Sequence, residues 1–133
     1  MSPDPNEAYK PPERGKEAEE LFRTMQDEKI TSLKEMIEDI QLMIEERKKL
    51  RDELMQEMGK MQMGIGNILN QPEISVDEKV KLKTKQIELD EKKMQEKLQC
   101  WKDISQLKQE LRDHMREFKE KESRQEMLDE LMK

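Results

Sequence analysis

Apolar residues in the first half of the chain recur at alternating steps of three and four, the spacing of a coiled-coil helix. The seam contains Ile30, Leu33, Ile37, Ile40, Ile44, Leu54, Met58, Met61, Ile65 and Ile68. Arg47 and Arg51 occupy its two middle positions. One flank carries three more apolar residues at sevenfold spacing: Met36, Met43 and Leu50. Because a two-stranded contact needs only the seam, this flank predicts a third helix or a partner surface.

A second apolar stripe begins after Val76 and predicts a second long helix. Its members are Val80, Ile87, Met94, Leu98, Trp101, Ile104, Leu107, Leu111, Met115, Phe118, Leu128, Leu131 and Met132. The step from Trp101 to Ile104 is shorter than a strict heptad allows, so the stripe changes phase there. Trp101 has two interpretations: it fills the seam between the helices, or it faces outward and anchors a partner.

Signals that end one helix and start another lie close together near the middle of the chain. Asn70 can adopt the left-handed conformation that ends a helix, and Pro72 prevents continuation. Ser75 and Glu78 match a capping box that starts the next helix. Since short connections usually join antiparallel helices, the sequence predicts a helical hairpin. The alternative is a continuous rod, kinked at Pro72, that forms a parallel homodimer.

These signals divide the chain into four segments. A proline-rich flexible tail covers residues 1–12, and the first helix covers 13–70 with a break allowed near 29–32. A turn at 71–75 precedes the second helix at 76–132.

The simplest register folds the two helices back symmetrically about the turn. Ile44 then faces Trp101, and Arg51 lies near the carboxylates of Asp90 and Glu91. An arginine in a seam is costly unless it is paired or reaches water, so these acids are its predicted partners.

The composition supports thin helical contacts and argues against a thick globular core. Of the 133 residues, 44% are charged, 32% are hydrophobic and 3% are aromatic, and the net charge is -6. Acidic and basic residues are interspersed, which argues against nucleic acid as a partner. We therefore expect an all-α, elongated protein: a long antiparallel helical hairpin or coiled coil that takes part in a multi-helix bundle with partner chains.

The single cysteine, Cys100, cannot form an internal disulfide and fits a reducing compartment. The sequence shows neither a secretory signal nor an apolar run long enough to span a membrane. We expect an intracellular protein of the cytoplasm or the nucleus.

No segment carries a recognisable catalytic, cofactor or metal set. Gly64 and Gly66 form the one glycine cluster, but they lack the preceding strand and the residues of a phosphate-binding loop. We interpret them as loosening the last turns of the helix or as a site of close helix packing. His114 and Cys100 are fourteen residues apart and belong to no triad or ligand cluster. The protein is therefore expected to be no enzyme and to need no cofactor.

The segment KVKLKTKQ places a lysine at every second position: Lys79, Lys81, Lys83 and Lys85. Three interpretations stay open. It is a solvated helical turn, a contact for an acidic partner such as a tubulin-like surface or nucleic acid, or a short strand, and the absence of aromatic residues between the lysines counts against nucleic acid. Long helices bridged by small strands would resemble the prefoldin family of coiled-coil chaperones.

The favoured hypothesis is a scaffold or adaptor subunit that mediates protein–protein assembly with other helical proteins or with itself. Such subunits occur in kinetochores, centrosomes or cilia, vesicle tethers and chromosome structures, and the residues do not choose among these. Methionines outside the stripe suit adaptable contacts. The candidate interaction residues are Ile30, Leu33, Met36, Ile37, Ile40, Met43, Ile44, Leu50, Leu98, Trp101, Ile104, Leu107, Leu111 and Phe118.

Overall fold

The chain folds into two long helices that pack against each other as a hairpin, in a computed structural model that describes the backbone of residues 11–133 and the side chains of residues 15–133. Helix α1 spans Pro11–Leu69 and helix α2 spans Val76–Leu131. Residues 11–133 contain no strand, so the strand interpretation of the lysine segment is wrong. The all-α helical hairpin is confirmed, and the bent rod is excluded.

Helix α1 begins two residues before its predicted start, at Pro11. Proline is tolerated in the first turn because an amide hydrogen there has no helical partner. The helix continues without interruption through residues 29–32, where the sequence allowed a break. The remaining part of the predicted tail, residues 1–10, lies outside the described residues.

The end of α1 uses a simpler geometry than the one predicted. The Asn70 N–H donates to the Gly66 carbonyl over 3.2 Å, and the Gln71 N–H donates to the Ile68 carbonyl over 3.1 Å. Across residues 11–133 no residue has a positive φ, so the prediction of a left-handed Asn70 is wrong. Two backbone hydrogen bonds close the helix, and Pro72 then prevents its continuation.

The start of α2 follows the predicted cap. The Glu78 N–H donates to Ser75 Oγ over 3.2 Å, and the Lys79 N–H donates to the Ser75 carbonyl over 3.0 Å. This hydroxyl satisfies one of the amide hydrogens that a helix leaves free at its first turn.

The described part of the chain comprises two compact units. The terminal unit contains residues 11–39 and 111–133, and the turn unit contains residues 40–110. In the terminal unit Leu33 is buried, whereas Ile30, Ile37, Leu111 and Phe118 are half-buried. In the turn unit the buried side chains are Ile40, Ile44, Ile65, Leu89 and Cys100.

In each unit a polar pair joins residues that lie seven positions further along α2 than the symmetric register places them. In the terminal unit the Gln125 amide donates to the carboxylate of Asp27, a residue that the symmetric register placed opposite Phe118. In the turn unit the Gln62 amide donates to Asp90 over 2.6 Å, where that register placed Lys83. Residues 75–81 are exposed, and Leu82 is the first half-buried residue of α2. The first turns of α2 therefore do not pack against α1. The symmetric register is therefore wrong.

The face of α2 that packs in the turn unit also differs from the predicted one. Five predicted seam residues are exposed: Val80, Ile87, Met94, Leu98 and Trp101. The packed face instead holds Leu82, Gln86, Leu89, Lys93, Glu96 and Cys100. On α1 the same kind of shift leaves Met61 and Ile68 exposed, with Gln62 and Leu69 half-buried. The physical reason is hydrogen bonding across the hairpin. Lys93 and Glu96 bond to Gln62 and Arg47 on α1, and an apolar side chain at either position would leave that polar partner unsatisfied.

Candidate interaction surfaces

Arg47 is the centre of a largely buried ionic cluster in the turn unit. Its Nη1 donates to Glu96 Oε1 over 2.6 Å, and its Nε donates to Asp103 Oδ2 over 3.0 Å. The Arg47 and Glu96 side chains are only 14% and 17% exposed. A seam arginine is therefore paired, as burial requires.

The ionic cluster shifts the proton affinities of two of its members. The hydrogen bond to Glu96, followed by the one to Asp103, raises the pKa of Arg47 above its ordinary value. The hydrogen bond from Arg47 lowers the pKa of Asp103, and a second bond from the Gln99 amide at 2.9 Å adds to this effect. Both groups thus keep their charges over the physiological pH range.

Arg51 has a different environment from the predicted one. Its guanidinium bonds to the adjacent Asp52 at 3.1 Å, and Asp90 instead accepts from the Gln62 amide. The predicted pairing of Arg51 with Asp90 and Glu91 is therefore wrong. The register shift explains this difference, because it moves those acids away from Arg51.

The exposed apolar residues of α2 form a surface that we call the α2 stripe: Val80, Ile87, Met94, Leu98 and Trp101. Their exposed fractions lie between 55% for Leu98 and 68% for Trp101. Four of them recur every seven residues, so they follow one line along the helix. The hairpin does not cover this line.

The predicted apolar flank of α1 is exposed as well. Met43 and Leu50 of the turn unit are 51% and 48% exposed, and Met36 of the terminal unit is 42% exposed. The other predicted interaction residues pack inside their units. Three of them are buried, namely Leu33, Ile40 and Ile44; six are half-buried, namely Ile30, Ile37, Ile104, Leu107, Leu111 and Phe118.

The four lysines of the basic segment are all exposed in the first turns of α2. At helical spacing Lys79 and Lys83 share one face, whereas Lys81 and Lys85 lie on nearly the opposite face. The four charges therefore diverge around the helix. A contact with a single acidic surface can use only two of them at once.

A second cluster of positive charge surrounds Trp101 and forms what we call the cationic groove, an open depression of about 650 Å³ in the turn unit. Its apolar walls are Met55, Cys100, Trp101 and Ile104. Its cations are Lys48, Arg51, Lys97 and Lys108, and its carboxylate is Asp52. No lysine of the KVKLKTKQ segment lines the cationic groove. The spacing of residues along the sequence could not predict this groove, because residues of both helices line it.

Other candidate sites carry little chemistry. A Cβ added at Gly64 or Gly66 would meet nothing within 4 Å, so close packing of these glycines inside the hairpin is wrong. Cys100 is a buried free thiol. In the part of the chain whose side chains are described, no cluster of three His, Cys, Asp or Glu residues could hold a metal. None of the described helices has an apolar stretch that could cross a membrane.

Comparison of the sequence and the fold with protein-family models, curated proteins and solved structures finds no significant match.

Proposed function

We propose that this protein is a non-enzymatic scaffold or adaptor subunit whose hairpin joins helices of other proteins in a shared bundle. The observation that carries the proposal is the α2 stripe. A line of large apolar side chains, each more than half exposed, is the pattern of a helix that packs against another helix. The exposed flank formed by Met43 and Leu50 offers a second apolar surface in the same unit.

The stripe differs from the scattered apolar residues that every protein surface contains. Single exposed leucines need no explanation, but large apolar residues that recur along one face of a helix often mark contact sites. Exposed methionine and tryptophan side chains strengthen this interpretation, because methionine adapts to irregular partners and tryptophan is frequent among residues that dominate binding energy.

The test compares affinity purification of the full chain with that of a variant carrying Met94→Glu and Leu98→Glu. Both side chains are exposed, so circular dichroism should show an unchanged helix content. The matched control carries Gln41→Glu and Gln56→Glu, two exposed polar positions on α1 in the same unit. We expect the control and the unmodified chain to retain the same helical partner and the stripe variant to lose it. Retention of every partner by the stripe variant would refute the proposal.

The alternative of a prefoldin-like chaperone depended on a strand at residues 79–85, a segment that is helical. Sedimentation separates the two functions. A compact hexamer would favour the chaperone, whereas the scaffold predicts assemblies whose composition depends on the partner.

A further inference from the structure

We infer that the cationic groove and the α2 stripe together bind one acidic amphipathic helix of a partner protein, with Trp101 as the central contact. This inference rests on the proposed function and specifies the partner's chemistry. It starts from Trp101, which belongs to both surfaces and is 68% exposed.

The charges of the groove select an acidic occupant. Four cations and one carboxylate line it, although the whole chain has a net charge of -6, and one of the cations, Lys48, is paired with Glu45 at 3.7 Å. Asp52 bonds to the adjacent Arg51 at 3.1 Å, so it is already engaged. Within residues 15–133 neither Lys97 nor Lys108 has an ion-pair partner. Carboxylates of a bound helix would supply those partners and exclude basic competitors.

The geometry of the stripe selects a helix. Val80, Ile87, Met94 and Trp101 repeat every seven residues, which matches the apolar line of a second helix lying alongside α2. Three heptads extend over about 31 Å at the rise of an α-helix. Leu98 broadens the line beside Trp101, so the contact is widest where the groove begins.

A second copy of this chain fits the same surface poorly. A symmetric dimer centred on the groove would bring the groove cations of one copy near those of the other. Single-stranded nucleic acid also fits poorly, because Trp101 is the one aromatic side chain among the groove residues and successive bases need several stacking partners.

The experiment uses Trp101, the chain's one tryptophan, as a fluorescent reporter in the full-length protein. The probes are two synthetic peptides of about 21 residues with leucine at positions a and d of each heptad. One carries glutamate at positions e and g, and the other carries lysine there. We expect the glutamate peptide to shift the Trp101 emission to shorter wavelength and the lysine peptide to leave it unchanged.

Charge reversal tests whether the groove selects the peptide. The variant with Lys97→Glu and Lys108→Glu should bind the glutamate peptide about tenfold more weakly or worse. The control with Lys49→Glu and Lys119→Glu has the same net charge, lies outside the groove and should bind normally. Circular dichroism verifies that both variants are folded.

Four results would overturn the inference: equal binding of both peptides, unchanged binding by the groove variant, an emission that varies with protein concentration alone, or preferential binding of oligothymidylate. The proposed function is judged separately by the Met94→Glu and Leu98→Glu purification. If the peptides fail while that variant still loses its partner, the groove inference is wrong and the scaffold function stands.

Discussion

Replacement of Arg47 by methionine should destabilise the hairpin far more than the same replacement at Arg51. Arg47 donates to Glu96 at 2.6 Å with both side chains less than a fifth exposed. Its removal leaves the Glu96 carboxylate largely buried without a counter-charge. Loss of one member of a fully buried pair costs 3–5 kcal/mol, and the residual water contact of Glu96 reduces this cost to about 2 kcal/mol.

The assay is urea unfolding followed by circular dichroism. A loss of about 2 kcal/mol lowers the midpoint by about 1 M. Arg51→Met is the matched control, because Arg51 is 36% exposed on its side chain and bonds only to its neighbour Asp52. Its free energy of unfolding should change by less than about 0.5 kcal/mol.

A double variant separates the ion pair from general packing. Replacement of both Arg47 and Glu96 by methionine removes the two charges together, so most of the lost stability should return. Equal destabilisation by Arg47→Met and Arg51→Met would refute the reasoning, since it would show that the cluster adds nothing to the folded state.

Three further predictions concern the turn unit. Gly64→Ala and Gly66→Ala should each raise the free energy of unfolding of the isolated chain by about 0.5–1 kcal/mol, because a Cβ meets open space there; a loss would contradict this reasoning. Ser75→Ala should lower it by about 1 kcal/mol through loss of the cap, with Ser75→Asp unaffected, as denaturant titrations will show. The pKa of Asp103 is lowered by Arg47 from its ordinary value of 3.8, so its contribution to stability is present above that value and is lost as pH falls through the folded pKa. Below about pH 4 the free energy of unfolding should therefore fall more steeply for the natural chain than for Asp103→Asn.

Structural features that depend on residues close together in the sequence could be predicted from the sequence. Pro72 and the Ser75 cap act within one helical turn, and the structure places the connection where they predict it. On α1 a single face is clearly more apolar than the others, so burial of Leu33, Ile40 and Ile44 follows from the periodicity alone.

The packed face of α2 could not be predicted in the same way. This helix has two competing faces in the turn unit, and the more apolar one is exposed. Its packed face includes Lys93 and Glu96, which the pattern excludes from a seam. Lys93 and Glu96 can pack in the seam only because Gln62 and Arg47 on α1 form hydrogen bonds with them. These pairs join residues that are far apart in sequence, so a pattern along one helix cannot reveal them. The cationic groove could not be predicted for the same reason, because residues of both helices line it.

The ionic cluster and the exposed stripe have a common cause in the choice of the α2 face that packs against α1 in the turn unit. In the symmetric register Arg47 would face Leu98, an apolar side chain that offers its guanidinium no acceptor. A guanidinium buried without a counter-charge is far more costly than an exposed leucine. Packing the face of α2 that carries Glu96 and Asp103 against Arg47 removes that cost and leaves Leu98 and Trp101 outward. The polar seam residues thus select the packed face of α2, and that choice leaves its apolar line open to another helix.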